Sequence, residues 1–77
     1  MTLDKLPKNS TATITSLTHP DTALLSRIMA LGIIPSEQIE VINVAPLGCP
    51  LQVKVGDTFV SVRKADAQFV EINTNLT

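Results

Sequence analysis

Apolar and polar residues alternate along much of this chain, and the places where the alternation fails are as informative as those where it holds. Thr11-Ala-Thr-Ile-Thr-Ser-Leu17 puts Ala12 and Ile14 on one face, the period of a half-buried strand. Ahead of it, Leu3 and Leu6 precede Pro7, and Thr18 to Pro20 end the run. The spacing then changes. Asp21 is suited to accept hydrogen bonds from the free N–H groups of a first helical turn, and Gly32 to take the left-handed conformation that closes one, so a helix is predicted over about 21–31. Leu24, Ile28 and Leu31 fall at i, i+4 and i+7 and form its expected buried stripe. Leu25 and Met29 lie roughly 100–140° round from that stripe, more apolar surface than one small sheet needs.

Beyond a turn at Pro35 and Ser36, Glu37 to Ala45 reads as a long strand. Ile39, Val41, Ile42 and Val44 put apolar side chains on both of its faces, which predicts a strand that is central or covered twice. Gly56-Asp57 then separates two alternating runs, as a tight two-residue hairpin requires. Pairing Val55 with Thr58 sets Val53 opposite Val60 and Leu51 opposite Val62 on one face, leaving Gln52, Lys54, Phe59, Ser61 and Arg63 on the other. Lys64 to Gln68 reads as one helical turn, Phe69 to Asn73 as a last strand with Val70 and Ile72 inward, and Thr74 to Thr77 as a fraying tail. Val, Ile and Thr make up 23 of the 77 residues, in keeping with a mainly β chain. Five short strands with one inserted helix predict a small, bent barrel whose closure removes exposed edges.

Composition narrows the function classes. Seventy-seven residues, 44% hydrophobic, with mean hydropathy +0.28, suffice for a single domain over 1–77 and exclude a multi-domain enzyme. The longest apolar run, Ile28 to Leu31, is far short of the roughly twenty residues of a membrane span, and no basic start leads into an apolar stretch, so an unexported, cytoplasmic protein is expected. Six Lys+Arg against seven Asp+Glu and only two aromatics, Phe59 and Phe69, argue against nucleic acid. Cys49 is alone, which rules out an internal disulfide.

The stretch Val44-Ala-Pro-Leu-Gly-Cys-Pro-Leu51 has no charged or hydroxyl side chain, unusual for a loop that crosses a surface. Two readings stand. Either Leu47 folds back to plug the end of the barrel, or the two prolines stiffen an apolar lip for a partner. The candidate partner-binding residues are therefore Leu25, Met29, Ala45, Pro46, Leu47, Gly48, Cys49 and Pro50; the competing role for Leu25 and Met29 is packing under Leu3 and Leu6. A metal at Cys49 or His19 is disfavoured because no paired ligand spacing accompanies either. His19 is expected to face solvent in a turn, and Arg63 to pair with a carboxylate such as Asp66 or Glu71 or to reach a partner. No Gly-rich phosphate loop, no HExxH and no nucleophile with a histidine base is present, so no enzyme and no cofactor is expected.

Leu31-Gly-Ile-Ile-Pro35, Val41, Ala45-Pro-Leu-Gly-Cys-Pro-Leu51 and Val60-Ser-Val-Arg63 together resemble the FeoA family, small cytosolic components of bacterial ferrous-iron uptake, over about Leu3 to Ile72. The resemblance implies an SH3-like five-stranded barrel, shared with the C-terminal domains of iron-dependent repressors. It also implies a non-enzymatic accessory that binds the cytosolic part of FeoB, a membrane GTPase and ferrous-iron transporter, and so meets the membrane only through that partner. A metal-responsive regulatory module or an iron carrier is the alternative. Weak self-association through Leu25 and Met29 is a further expectation. The chain departs from the family at Asn9 and Ser36, where glycine is usual, at Cys49, where Asp is usual, and at Leu25, where the helix tends to be basic. Asn9 tolerates a positive φ. Ser36 implies either a different turn or a backbone with no positive φ there.

Overall fold

The computed structural model describes residues 1–74. Strands β1 (Thr11–Leu17), β2 (Gln38–Val44), β3 (Leu51–Val55), β4 (Thr58–Val62) and β5 (Val70–Thr74) form one antiparallel sheet in the order β4-β3-β2-β1-β5. Helix α1 (Thr22–Ala30) is inserted between β1 and β2, and the short α2 (Lys64–Ala67) between β4 and β5. The pairing shifts at two bulges, between Ile14 and Ser16 in β1 and between Val41 and Asn43 in β2, which bend the sheet around its own core. Ala12, Ile14, Ile39, Val41, Val53, Val70 and Ile72 supply that core from the strands, joined by Leu3, Leu6, Ile28 and Ile33.

The β3–β4 hairpin has the register expected from the sequence, Val55 with Thr58, Val53 with Val60 and Leu51 with Val62. Gly56 has φ 59° while Asp57 does not enter the left-handed region, the pattern of a turn with glycine at its first central position. Helix α1 is also bounded as expected. The Asp21 side chain accepts from the N–H groups of Ala23 (3.0 Å) and Leu24 (3.4 Å), and Gly32 follows the helix at φ 99°.

Several expectations change. The sheet does not close: among the described residues β4 pairs only with β3, and β5 is joined to β4 through α2 rather than through a ladder. The outer edge of β5 is instead partly covered by the chain start, where the Ile72 N–H donates to the Met1 carbonyl (2.8 Å) and Thr2 bridges Glu71. β2 is central, but the bulge beyond Val41 leaves Ile42 half-buried and Val44 exposed, so its far end is not covered twice. The α1 stripe is narrower than predicted. Ile28 alone is fully buried, Leu24 is half-buried, and Leu31 at the C-cap is 41% exposed, because the helix lies against the sheet through one anchor only. Leu3 and Leu6 enter the core, and Met29 stays exposed rather than packing beneath them. The last strand begins at Val70 and includes Thr74; the rest of the expected frayed tail, 75–77, lies outside the described residues. Ser36 does adopt a positive φ, 82°, as Asn9 does at 69°. It is held there because its N–H donates to the Ile14 carbonyl (2.8 Å) while the Ile14 N–H donates to Glu37 (2.9 Å), pinning the turn to β1.

Candidate functional site

The charge-free loop between β2 and β3 is closed at its neck and raised at its tip. Val44 pairs with Leu51 as the last rung of the ladder, and the Ala45 N–H donates to the Pro50 carbonyl (3.1 Å) just beyond it. At the tip the Gly48 N–H donates back to the Ala45 carbonyl (2.9 Å), making a four-residue turn with Pro46 and Leu47 at its centre. Leu47 has φ 71° and ψ 9°, the values that the third position of a type II turn requires and that glycine normally supplies. A leucine held there costs roughly 1 kcal/mol or more against a right-handed or extended conformation. Its side chain gains nothing in return within the chain, since Leu47 is 100% exposed. Leu47 thus does not plug the barrel. The Cys49–Pro50 peptide is cis.

The rest of the surroundings are basic and apolar. A Cβ on Gly48 would lie 3.7 Å from Lys64 Nζ, and the Lys64 N–H points at Cys49 Sγ at 3.5 Å, so the loop rests on the start of α2. Arg63, one residue back, borders a cleft of about 350 Å³ between β4 and α1. Leu24, Arg27 and Leu31 line it from the helix, Ser61, Arg63 and Asp66 from the opposite side, with Ile28 and Val62 at its floor. The fold therefore joins the loop, through Lys64 and Arg63, to the Leu24 and Leu31 side of α1. Leu25 (half-buried) and Met29 (43% exposed) do not line the cleft. Leu24 and Leu31, which their spacing assigns to the buried stripe, line the cleft instead, Arg27 stands beside them, and Lys64 is brought to the loop only by tertiary packing. Another hollow, of about 420 Å³, is lined by polar residues and glycine, among them Glu37, Glu40 and Lys54, and lacks the apolar wall of a docking site.

His19 is not a solvent-facing turn residue. Its side chain is 8% exposed, its ring lies 4.4 Å from that of Phe69, Nδ1 accepts the Asp21 N–H (3.0 Å) and Nε2 faces Asp66 (3.3 Å). The same carboxylate meets Arg63 Nε at 3.4 Å, so Arg63 pairs with Asp66 and not with Glu71, which lies 3.7 Å from the N-terminal amine. These contacts tie the start of α1 to α2 and orient one wall of the cleft. Cys49 is exposed. Among the described residues no group of three or more His, Cys, Asp or Glu side chains is arranged to hold a metal ion, and no helix is long and apolar enough to cross a membrane.

Against this geometry stand the likenesses to known proteins. The FeoA domain model matches residues 1–74. Iron(II) transport protein A from Clostridium thermocellum superposes with a TM-score of 0.91 at 32% identity, over 97% of this chain and 46% of that one, so the present chain spans about half its length. FeoA from Stenotrophomonas maltophilia, solved in complex with zinc and described as a procaryotic SH3 domain protein and a candidate bacterial ferrous iron transport activating factor, gives 0.82 at 32% identity over 95% and 89% of the two chains. IdeR of T. acidophilum gives 0.85 at 19% identity over 97% and 34%, a likeness of fold alone. No curated protein matches the sequence significantly.

Proposed function

The chain belongs to the FeoA family, whose members serve ferrous-iron transport, and from that premise we propose that it is a non-enzymatic accessory that binds the cytosolic part of a FeoB-type membrane GTPase and biases its activity or assembly. Leu47 carries this reading. A fully exposed leucine in a backbone conformation it disfavours contributes nothing to the fold, and burying it on a partner is worth about 1.5–3 kcal/mol. The neck hydrogen bond and the two prolines hold the loop ready, so little ordering cost accompanies the contact. Ala45, Pro46, Gly48, Cys49 and Pro50 form the lip around it; Leu25 and Met29 lie outside the cleft that adjoins the loop and would serve as a second, separate apolar contact. Lys64 supplies a cation beside the lip and Arg63 and Arg27 line the adjoining cleft, which suits a partner surface that carries carboxylates near its apolar pocket.

The test is a titration of full-length FeoB from the same organism, embedded in lipid nanodiscs, with this chain, with and without GTP. Saturable binding is expected, weakened about tenfold by Leu47→Ser, whose thermal unfolding stays near that of the parent. No association in either nucleotide condition would overturn the proposal. So would association indifferent to Leu47→Ser.

A further inference from the structure

The two edges of the sheet are treated differently. β5 has its outer side partly covered by Met1 and Thr2, whereas β4 has no backbone partner beyond β3 among the described residues. Natural edges are blunted by charge, proline or a bulge. β4, Thr-Phe-Val-Ser-Val, has none of these within it and pairs with β3 without a register break.

The register says which groups are free. In a two-residue hairpin the pair flanking the turn exchanges both hydrogen bonds, so Val55 with Thr58, Val53 with Val60 and Leu51 with Val62 are the bonded pairs. Phe59 and Ser61 between them turn their N–H and C=O groups outward. Both side chains are exposed as well.

We propose that β4 pairs with β4 of a second copy of this chain, antiparallel and two-fold symmetric about Val60. This register sets Phe59 opposite Ser61 of the other copy, twice, and these are the residues whose free backbone groups can exchange hydrogen bonds. Just past the two strand ends, it brings the Asp57 turn of each copy towards Arg63 of the other, so each end of the paired strands carries opposite charges. Asp57 has no ion-pair partner among the described residues, and Arg63 is exposed with a single contact to Asp66. Arg63 borders the cleft lined by Leu24, Arg27 and Leu31, so Arg27 is a second cation on the wall facing that end of the strand. Sliding the register by one bonded pair in either direction loses both Asp57–Arg63 pairs, which is what selects this one. The contact uses one short strand from each side, so the dimer is weak, with a dissociation constant of roughly 0.1–1 mM.

Sedimentation velocity and amide hydrogen exchange of the full chain, from about 20 µM to about 2 mM, test the pairing. Association is expected, with the Phe59 and Ser61 amides becoming protected as concentration rises. Ser61→Pro removes an outward N–H and leaves the β3 ladder intact; it abolishes association while the far-ultraviolet circular dichroism is retained. Asp57→Arg and Arg63→Asp each weaken association about tenfold, and the double variant restores it. A monomer with unchanged exchange across the range overturns the proposal, as does association that survives Ser61→Pro or that the double reversal fails to recover.

Discussion

Two connections flank β3, and they obey opposite rules. At one end the β3–β4 turn puts glycine where a left-handed residue is needed, and every buried side chain of the hairpin falls on one face. At the other end the β2–β3 loop puts Leu47 in a left-handed position and leaves it 100% exposed, while Leu51, just past Pro50, is 2% exposed in the core. The hairpin is locally consistent, so its shape is explained by folding. The loop conflicts with its own backbone preference, and a conflict kept at no gain to the core marks a place where something other than stability selects the residue.

Truncation should separate the two leucines most widely. Leu51→Ala is expected to cost about 2–4 kcal/mol in urea unfolding, as a buried large-to-small change does, while Leu47→Ala leaves stability within about 0.5 kcal/mol. Equal losses would mean that Leu47 packs in solution. Next in size, Gly56→Ala forces a side chain into the left-handed region and is expected to lower stability by about 1 kcal/mol, read from the same unfolding curves. Smaller and opposite in sign, Leu47→Gly and Ser36→Gly each relieve a positive φ and are expected to stabilise by about 0.5–1 kcal/mol. The two then diverge. Ser36→Gly leaves partner binding unchanged, whereas Leu47→Gly gains stability and loses affinity, a trade that a purely structural loop would not show. The smallest effect is expected at Arg63→Gln, which removes a largely exposed pair with Asp66 and shifts stability by about 0–1 kcal/mol.

Much of the fold was legible because its signals are local. Asp21 and Gly32 bound α1, the Gly56-Asp57 turn sets the hairpin register, and Val70 and Ile72 face inward as their alternation requires. The candidate site was half legible. The lack of charge in Ala45 to Pro50 pointed to the loop, but periodicity assigned Leu31 to the core and Leu25 to the surface with no knowledge of which side of α1 the sheet would leave open. His19 was misread for a related reason: its partners Asp66 and Phe69 come from the far end of the chain, and no spacing rule brings them to it.

The main elements, the hairpin register and the charge-free loop follow from neighbours within a few positions, and the family resemblance from motifs that can be compared without knowing how they fold together. Packing at long range placed Leu47 in solvent, brought the loop to the cleft beside α1 through Lys64 and Arg63 and, among the described residues, left the sheet open with β4 unpaired along its outer side. Those outcomes depend on how the bulges at Thr15 and Ile42 bend the sheet and on where α1 and α2 then fit, a balance over the whole core that no short stretch of residues encodes.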